Sequence, residues 1–186
     1  MKKILILGGV GFIGLALTRK LIQTKCFIYN IDNLQRGELD DKAKQVLNYK
    51  NVNFINADLS NDKVFRNLLE QKINFDEIYF FASFVGVKYT SKMPDRVLID
   101  NSKIILNVLD YWSKTDSKLL FSSTSEIYSG GLDVIKNFAI PTPENIPLVF
   151  NNIKNPRLTY SISKLFGETA IHSISSTHKK KAVIVR

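Results

Sequence analysis

Tyr160 and Lys164 stand four residues apart in LTYSISKLF (158–166), a stretch that reads as the opening of a helix. At that spacing the two side chains share one helix face. A free tyrosine keeps its proton to about pH 10, too high for a base at neutral pH. A neighbouring ammonium favours the phenolate and lowers that value. The pair therefore suits proton transfer, with Lys164 tuning Tyr160 and able to hold a cofactor ribose. From the spacing alone, a solvent-facing Tyr/Lys pair on a polar helix surface reads equally well. A second group lies upstream in FSSTSEIY (121–128), at the end of an apolar run. A hydroxyl there can hydrogen-bond a substrate oxygen as its charge changes. Glu126 can act as acid or base where the site is dry enough to raise its pKa.

A third stretch, GGVGFIG (8–14), follows an apolar run and precedes a helical pattern, with Gly8, Gly11 and Gly14 in G-x-x-G-x-x-G spacing. Such glycines serve a tight turn, close backbone approach to a pyrophosphate, and close packing of helix on strand. The helix that follows offers free N–H groups and a partial positive charge. Asp32 comes 18 residues after Gly14 at the end of a second apolar run. A carboxylate there can accept both hydroxyls of an adenosine ribose and repels a ribose phosphate, which favours NAD over NADP. Arg36, close behind, is the one opposing signal. Asp58 is a weaker candidate for the adenine, with a plain loop or cap role as its alternative.

The elements that must position these groups alternate regularly. Strands are expected at 3–8, 27–32, 52–57, 77–82, 118–123 and 182–185. Helices are expected at 12–25, 62–72, near 95–114, and from 158 to about 176. Nearly continuous apolar strands alternating with helices imply a parallel sheet covered on both faces, an α/β doubly wound Rossmann fold. In that fold ligands sit beyond the carboxyl ends of the strands. Ser122, Ser123, Thr124, Ser125 and Glu126 are thus expected to face the same crevice as the glycine turn. Residues 129–157 form one long irregular segment holding all but one of the prolines, and a loop of that length is usually functional.

Of the 186 residues, 45% are hydrophobic and 23% charged, the composition of an ordinary globular domain. A lone cysteine, Cys26, and two histidines, His172 and His178, show no metal-ligand spacing and are expected to be structural or surface residues. The net charge of +9 is scattered apart from Lys179–Lys181, and no aromatic interleaving or recognition motif accompanies it, so no nucleic-acid partner is expected. MKKILILGG reads as a first strand rather than a signal peptide, and no apolar run approaches the ~20 residues of a membrane span. A cytoplasmic protein without membrane contact is expected.

Taken in order, GGVGFIG (8–14), DNLQRG (32–37), ADL (57–59), FASFVGV (81–87), Asn101, STSEIY (123–128) and YSISK (160–164) resemble the extended short-chain dehydrogenase/reductases that modify nucleotide sugars. The resemblance covers essentially the whole chain. It implies that Tyr160 takes the proton of the sugar 4-hydroxyl while hydride passes to NAD, that Thr124 hydrogen-bonds that oxygen, and that Lys164 supports tyrosine and ribose. The resulting ketone permits epimerisation, dehydration or decarboxylation. It also implies a cofactor site lined by Gly8, Gly11, Phe12, Ile13 and Gly14, by Asp32 and Asn33, by Asp58 and Leu59, by Phe81, Ala82 and Ser83, and by Asn101, Ser122, Tyr160 and Lys164. NPRLTYSISK (155–164) is similar to segments of bacterial epimerase/dehydratases of surface-polysaccharide pathways, and a homodimer through the long helices is implied. Leu7, FFAS (80–83) and Ser129 depart from the usual residues. The family continues far past the point matching Arg186. The chain is therefore expected to be the NAD-binding N-terminal part (1–186) of such an enzyme, its C-terminal substrate domain largely absent. The alternatives are a nucleotide-sugar decarboxylase and a truncated NAD-binding module without catalysis.

Overall fold

The structure, a computed structural model, describes residues 1–36, 39–136 and 138–186; Gly37, the last residue of DNLQRG, lies outside them. Six strands form one parallel sheet: β1 (Lys2–Leu7), β2 (Cys26–Asp32), β3 (Val52–Asn56), β4 (Glu77–Phe80), β5 (Lys118–Ser122) and β6 (Ala182–Val185). Their spatial order is β3-β2-β1-β4-β5-β6, so the direction of winding reverses beside β1. The helices are α1 (Phe12–Leu21), α2 (Asp41–Leu47), α3 (Lys63–Glu70), α4 (Val87–Lys92), α5 (Pro94–Ser113), α6 (Gly131–Val134) and α7 (Leu158–His178), with a 3₁₀ turn at Ser125–Tyr128.

Alternation along each strand divides the core between the two faces. Leu5, Leu7, Phe80 and Phe121 point toward Phe65 and Leu68 of α3, Ile105 and Val108 of α5, and Ile171 of α7. Ile4, Ile6 and Ile28 point the other way, toward Leu17 and Leu21 of α1. Trp112 is fully buried, and its indole N–H donates to the Ser117 carbonyl at 2.8 Å. Burying an aromatic of this size stabilises the fold by about 3 kcal/mol, and a satisfied N–H removes the usual penalty.

The doubly wound architecture is the one expected, and the six strands fall within a residue or two of the expected spans. The first helix is shorter than the expected 12–25. Thr24 Oγ1 donates to Leu21 O at 2.8 Å and ends it there. Three short helices, α2, α4 and α6, were not expected. Asp40 caps α2 by accepting from Ala43 N at 2.7 Å, a signal readable in LDDKA. α4 and α6 span only a turn or so, too short for hydrophobic periodicity to register. The rest of 129–157 is irregular among its described residues, as expected.

Candidate functional site

After β1 the chain turns through Gly8 at φ +83°. A Cβ on Gly8 would sit 2.6 Å from Ala82 N, and one on Gly14 would sit 2.2 Å from Gly8 O, so neither position admits a side chain. A Cβ on Gly11 would meet only Gly8 O, at 3.4 Å. Gly11 therefore borders open space. It precedes α1 without any side-chain cap, and no acidic residue occupies the first turn. The first N–H groups of α1 and its positive dipole end thus have no internal anion. Phe12 is 95% exposed at this turn.

A cleft of about 570 Å³ opens from the glycine turn across the carboxyl ends of the strands. Gly8, Gly11, Phe12, Ile13, Gly14, Asp32, Asn33, Asp58, Leu59, Phe81, Ala82 and Ser83, all named from sequence as candidates for a cofactor site, line it. Asp32 accepts from Val10 N at 3.0 Å and from Leu34 N at 2.8 Å, one bond per oxygen, which leaves each oxygen a further lone pair for a ligand hydroxyl. Asp58 lines the cleft and also accepts from Ser60 N at 2.8 Å, so its cap role and a ligand role coexist. Arg36 reaches across the mouth of the cleft, its Nη1 donating to Val85 O at 2.6 Å. Free helix N–H groups at a glycine turn, a carboxylate one strand away and a crevice of this size fit a dinucleotide.

Tyr160 and Lys164 are not among the residues that line this cleft; the Tyr160 phenol stands next to it, with the Ser83 and Thr124 hydroxyls beside the phenol. Ser83 also lines the cleft, so the phenol and the cleft meet at this one residue. Thr124 Oγ1 accepts from Glu126 N at 3.2 Å, leaving its own proton available to an oxygen in front of it. Burial pushes the Tyr160 phenol above its ordinary value, and the Glu126 carboxylate adds to the rise. The Ser83 and Thr124 hydroxyls and the Arg36 charge pull it back down. The expectation that Lys164 would lower this phenol is not met: the Lys164 amine is 2% exposed and donates instead to Ser122 O at 2.7 Å. Its nitrogen lies 6.0 Å from the centre of the Tyr160 ring and 4.7 Å from that of Phe121. Burial pulls the Lys164 ammonium down to about 7, so much of its charge is lost near neutrality.

Two further expectations, for Asn101 and Ser122, need correcting, and the dryness on which a role for Glu126 depends is not found. Asn101 does not line the cleft; its Oδ1 accepts from Phe84 N at 2.7 Å and Ser83 Oγ at 3.1 Å, and its Nδ2 donates to Phe84 O at 3.1 Å. It clamps the loop that carries Ser83. Nor is Glu126 dry: its side chain is 39% exposed and faces Arg157 Nη2 at 3.7 Å. Ser122 turns its hydroxyl to Phe80 O at 3.1 Å, into the sheet rather than the crevice. Sequence reasoning missed Asn30, a buried polar residue in the middle of β2. Its Nδ2 donates to Gly9 O at 3.1 Å and Thr18 Oγ1 at 3.0 Å and so braces the glycine turn. One amide amid the apolar FIYNID was the available signal.

Among the described residues no group of acidic, histidine or cysteine side chains could hold a metal ion, and no helix is long and apolar enough to cross a membrane.

Comparison with known proteins agrees with this fold. A putative UDP-glucose 4-epimerase of Methanocaldococcus jannaschii is 29% identical over 98% of this chain and 54% of its own length. A UDP-N-acetyl-alpha-D-glucosaminuronate decarboxylase of Bacillus cytotoxicus is 27% identical over 90% of this chain and 48% of its own. The solved UDP-Glc/GlcNAc 4-epimerase of Campylobacter jejuni superposes with a TM-score of 0.83 at 27% identity, covering 99% of this chain and 52% of that one. The chain thus spans about half the length of the curated relatives it matches. The model of the NAD dependent epimerase/dehydratase family, whose cofactor is NAD, matches residues 4–186. On this sequence, fold and cleft, the chain belongs to that family, within the extended short-chain dehydrogenase/reductases.

Proposed function

We propose that this chain forms the cofactor-binding half, with the proton-transfer centre, of an enzyme that transiently oxidises the 4-hydroxyl of a nucleotide sugar. The observation that carries the reading is Ser83, which lines the glycine-turn cleft and stands beside the Tyr160 phenol. The α1 N-terminus holds the pyrophosphate of the dinucleotide and Asp32 holds its adenosine ribose. NAD, when bound, supplies a hydride acceptor and a positively charged ring. Tyr160 takes the proton of the sugar hydroxyl at its phenolic oxygen and later returns it. Thr124 directs its free O–H at the same oxygen, favouring the ionised phenol. The Lys164 amine braces the end of β5 and supports the cofactor ribose. Glu126, at the rim, becomes an acid or base for a later elimination only when a bound sugar nucleotide covers it and excludes water.

The relatives include a 4-epimerase and a decarboxylase, both acting on UDP-linked sugars by their names, and these favour an epimerase/dehydratase with a decarboxylase as alternative. A role in surface-polysaccharide synthesis in the cytoplasm, and a homodimer through α5 and α7, complete the proposal. The exposed Leu106 and Phe166 on those helices favour that dimer. A second reading, a dinucleotide-binding module without turnover, draws on the raised phenol and on the share of the relatives' length spanned.

Calorimetry with NAD and NADP tests the cleft, and a preference for NADP would overturn the role of Asp32. Incubation with UDP-, GDP- and dTDP-sugars, followed by absorbance of reduced cofactor and by product analysis, separates the reactions. Unchanged turnover in Tyr160→Phe would remove the proposed base.

A further inference from the structure

Three consecutive residues at the end of β5 meet three residues of α7 spaced four apart. The Ser122 carbonyl accepts from the Lys164 amine, the Ser123 hydroxyl donates to the Glu168 carboxylate, and the Thr124 hydroxyl lies beside the Tyr160 phenol. Positions 160, 164 and 168 drift by only about 40° per step around a helix, so one stripe of α7 faces the strand end.

The Glu168 contact differs from its neighbours. Glu168 is 2% exposed, and a buried carboxylate is costly unless paired. Arg186, directly after β6, pairs with it: Nε donates to both carboxylate oxygens at 3.1 Å, and Nη2 donates to Oε2 at 2.6 Å. The same guanidinium reaches outward, Nη1 donating to Tyr128 Oη at 2.9 Å and to Glu144 O at 3.1 Å. Apolar side chains of like volume would fill such a spot without desolvating two charges, so stability alone does not account for the pair. What a multiply bonded carboxylate–guanidinium pair supplies is fixed geometry. Here that geometry joins the residue before Thr124, the turn that carries Glu126, and the segment 129–157 to the helix of Tyr160.

We propose that Glu168, held by Arg186, is a positioning residue that sets the register of the β5 end against α7, so that the Thr124 hydroxyl meets the Tyr160 phenol. Through Tyr128 and Glu144 it ties that contact to the loop at 129–157. The inference rests on the reading of Tyr160 as the proton-transfer group.

Ser123→Ala removes the link to the strand while leaving the ion pair intact, and Glu168→Gln keeps the shape without the charge. Crystal structures of both variants are expected to show Thr124 Oγ1 displaced from the phenol. In turnover with NAD and a nucleotide sugar, the pH at half-maximal rate is expected to rise by about half a unit or more, because the ionised phenol loses a donor. The charged groups around Tyr160, namely Glu126, Arg36 and Lys164, are unaltered in both variants. NAD affinity is expected to change less than about twofold, since the glycine turn is untouched. Ser123→Thr, which keeps the hydroxyl, is expected to restore the wild-type profile. If Glu168→Gln does not fold, Ser123→Ala decides alone. Thr124 still beside the phenol in the variant structures, or a lower melting temperature with an unmoved pH midpoint, would overturn the proposal. If the wild-type protein neither binds NAD nor turns over, the proton-transfer reading fails separately, and the position of Thr124 in the variant crystals still decides the positioning claim.

Discussion

Replacing Lys164 with methionine should change how stability depends on pH more than it changes stability itself. Burial lowers the Lys164 ammonium from its ordinary 10.5 to about 7, and among the described residues it donates to Ser122 O. That fall corresponds to about 5 kcal/mol of lost solvation, as an upper bound. The sign follows from proton counting. Between pH 7 and 10.5 the unfolded chain holds the lysine proton and the folded chain has released it, so stability rises with pH by about 1.4 kcal/mol per unit. Below pH 7 both states are protonated, and the full penalty is present and constant. Methionine has no such dependence. It loses the bond to Ser122 O, worth about 1–3 kcal/mol for a charged donor, and fills a similar volume. Lys164→Met is therefore expected to be more stable than wild type by about 2–4 kcal/mol at pH 6, losing that advantage through pH 8–9 and becoming less stable by pH 10. Urea unfolding of the two proteins at several pH values, followed by circular dichroism, gives the difference curve, in which all other titrations cancel. Parallel curves from pH 6 to 10 would refute the reasoning and place a fully charged ammonium in the folded state.

Gly14→Ala puts a Cβ 2.2 Å from Gly8 O, and calorimetry should find NAD binding lost along with a drop in melting temperature. Asp32→Asn keeps one of the two acceptors for Val10 N and Leu34 N and removes the charge, so NAD affinity should fall about tenfold and discrimination against NADP should narrow. Asn101→Ala leaves the buried Phe84 N–H without its acceptor and should cost about 2–3 kcal/mol in urea unfolding, with a larger effect on turnover than on NAD affinity because Ser83 is released. Lys179 holds φ +53° at the end of α7, where Lys179→Gly should raise stability by about 0.5–1 kcal/mol in thermal unfolding.

The sheet was legible because its inner strands are largely buried and read as apolar runs. KILIL, FIYNI and KLLFS need no partner information to be recognised. The turn at Gly8–Gly14 was legible for a different reason: Gly8 and Gly14 answer to backbone collisions with Ala82 and Gly8 that leave no alternative residue. α4 and α6 were not legible, since their form depends on the loops around them rather than on any repeat of their own. Asn101 reads as one more polar helix position. Only the folded chain shows that it faces the backbone of residues 83–84, on a loop that sequence cannot place against α5.

The protonation chemistry of the site was the least legible part, and Tyr160 shows why. Spacing fixes which residues share a helix face, but a phenol responds to everything that surrounds it. Lys164, the neighbour chosen by spacing, faces Ser122 O and loses charge through its own burial. The groups that act on the phenol come from elsewhere: Ser83 after β4, Thr124 and Glu126 after β5, and Arg36 after β2. Three strand ends converge there because the sheet is parallel and all its carboxyl ends open on one side. Burial and Glu126 raise the phenol while two hydroxyls and a guanidinium lower it, so the balance is open to adjustment by any charge that enters the cleft. A cationic ring placed beside Tyr160 acts in the same direction as Arg36. On this argument Arg36→Met should raise the pH at which turnover reaches half its maximum, and Glu126→Gln should lower it. Both variants shifting that pH in the same direction would show that the phenol is not the titrating group.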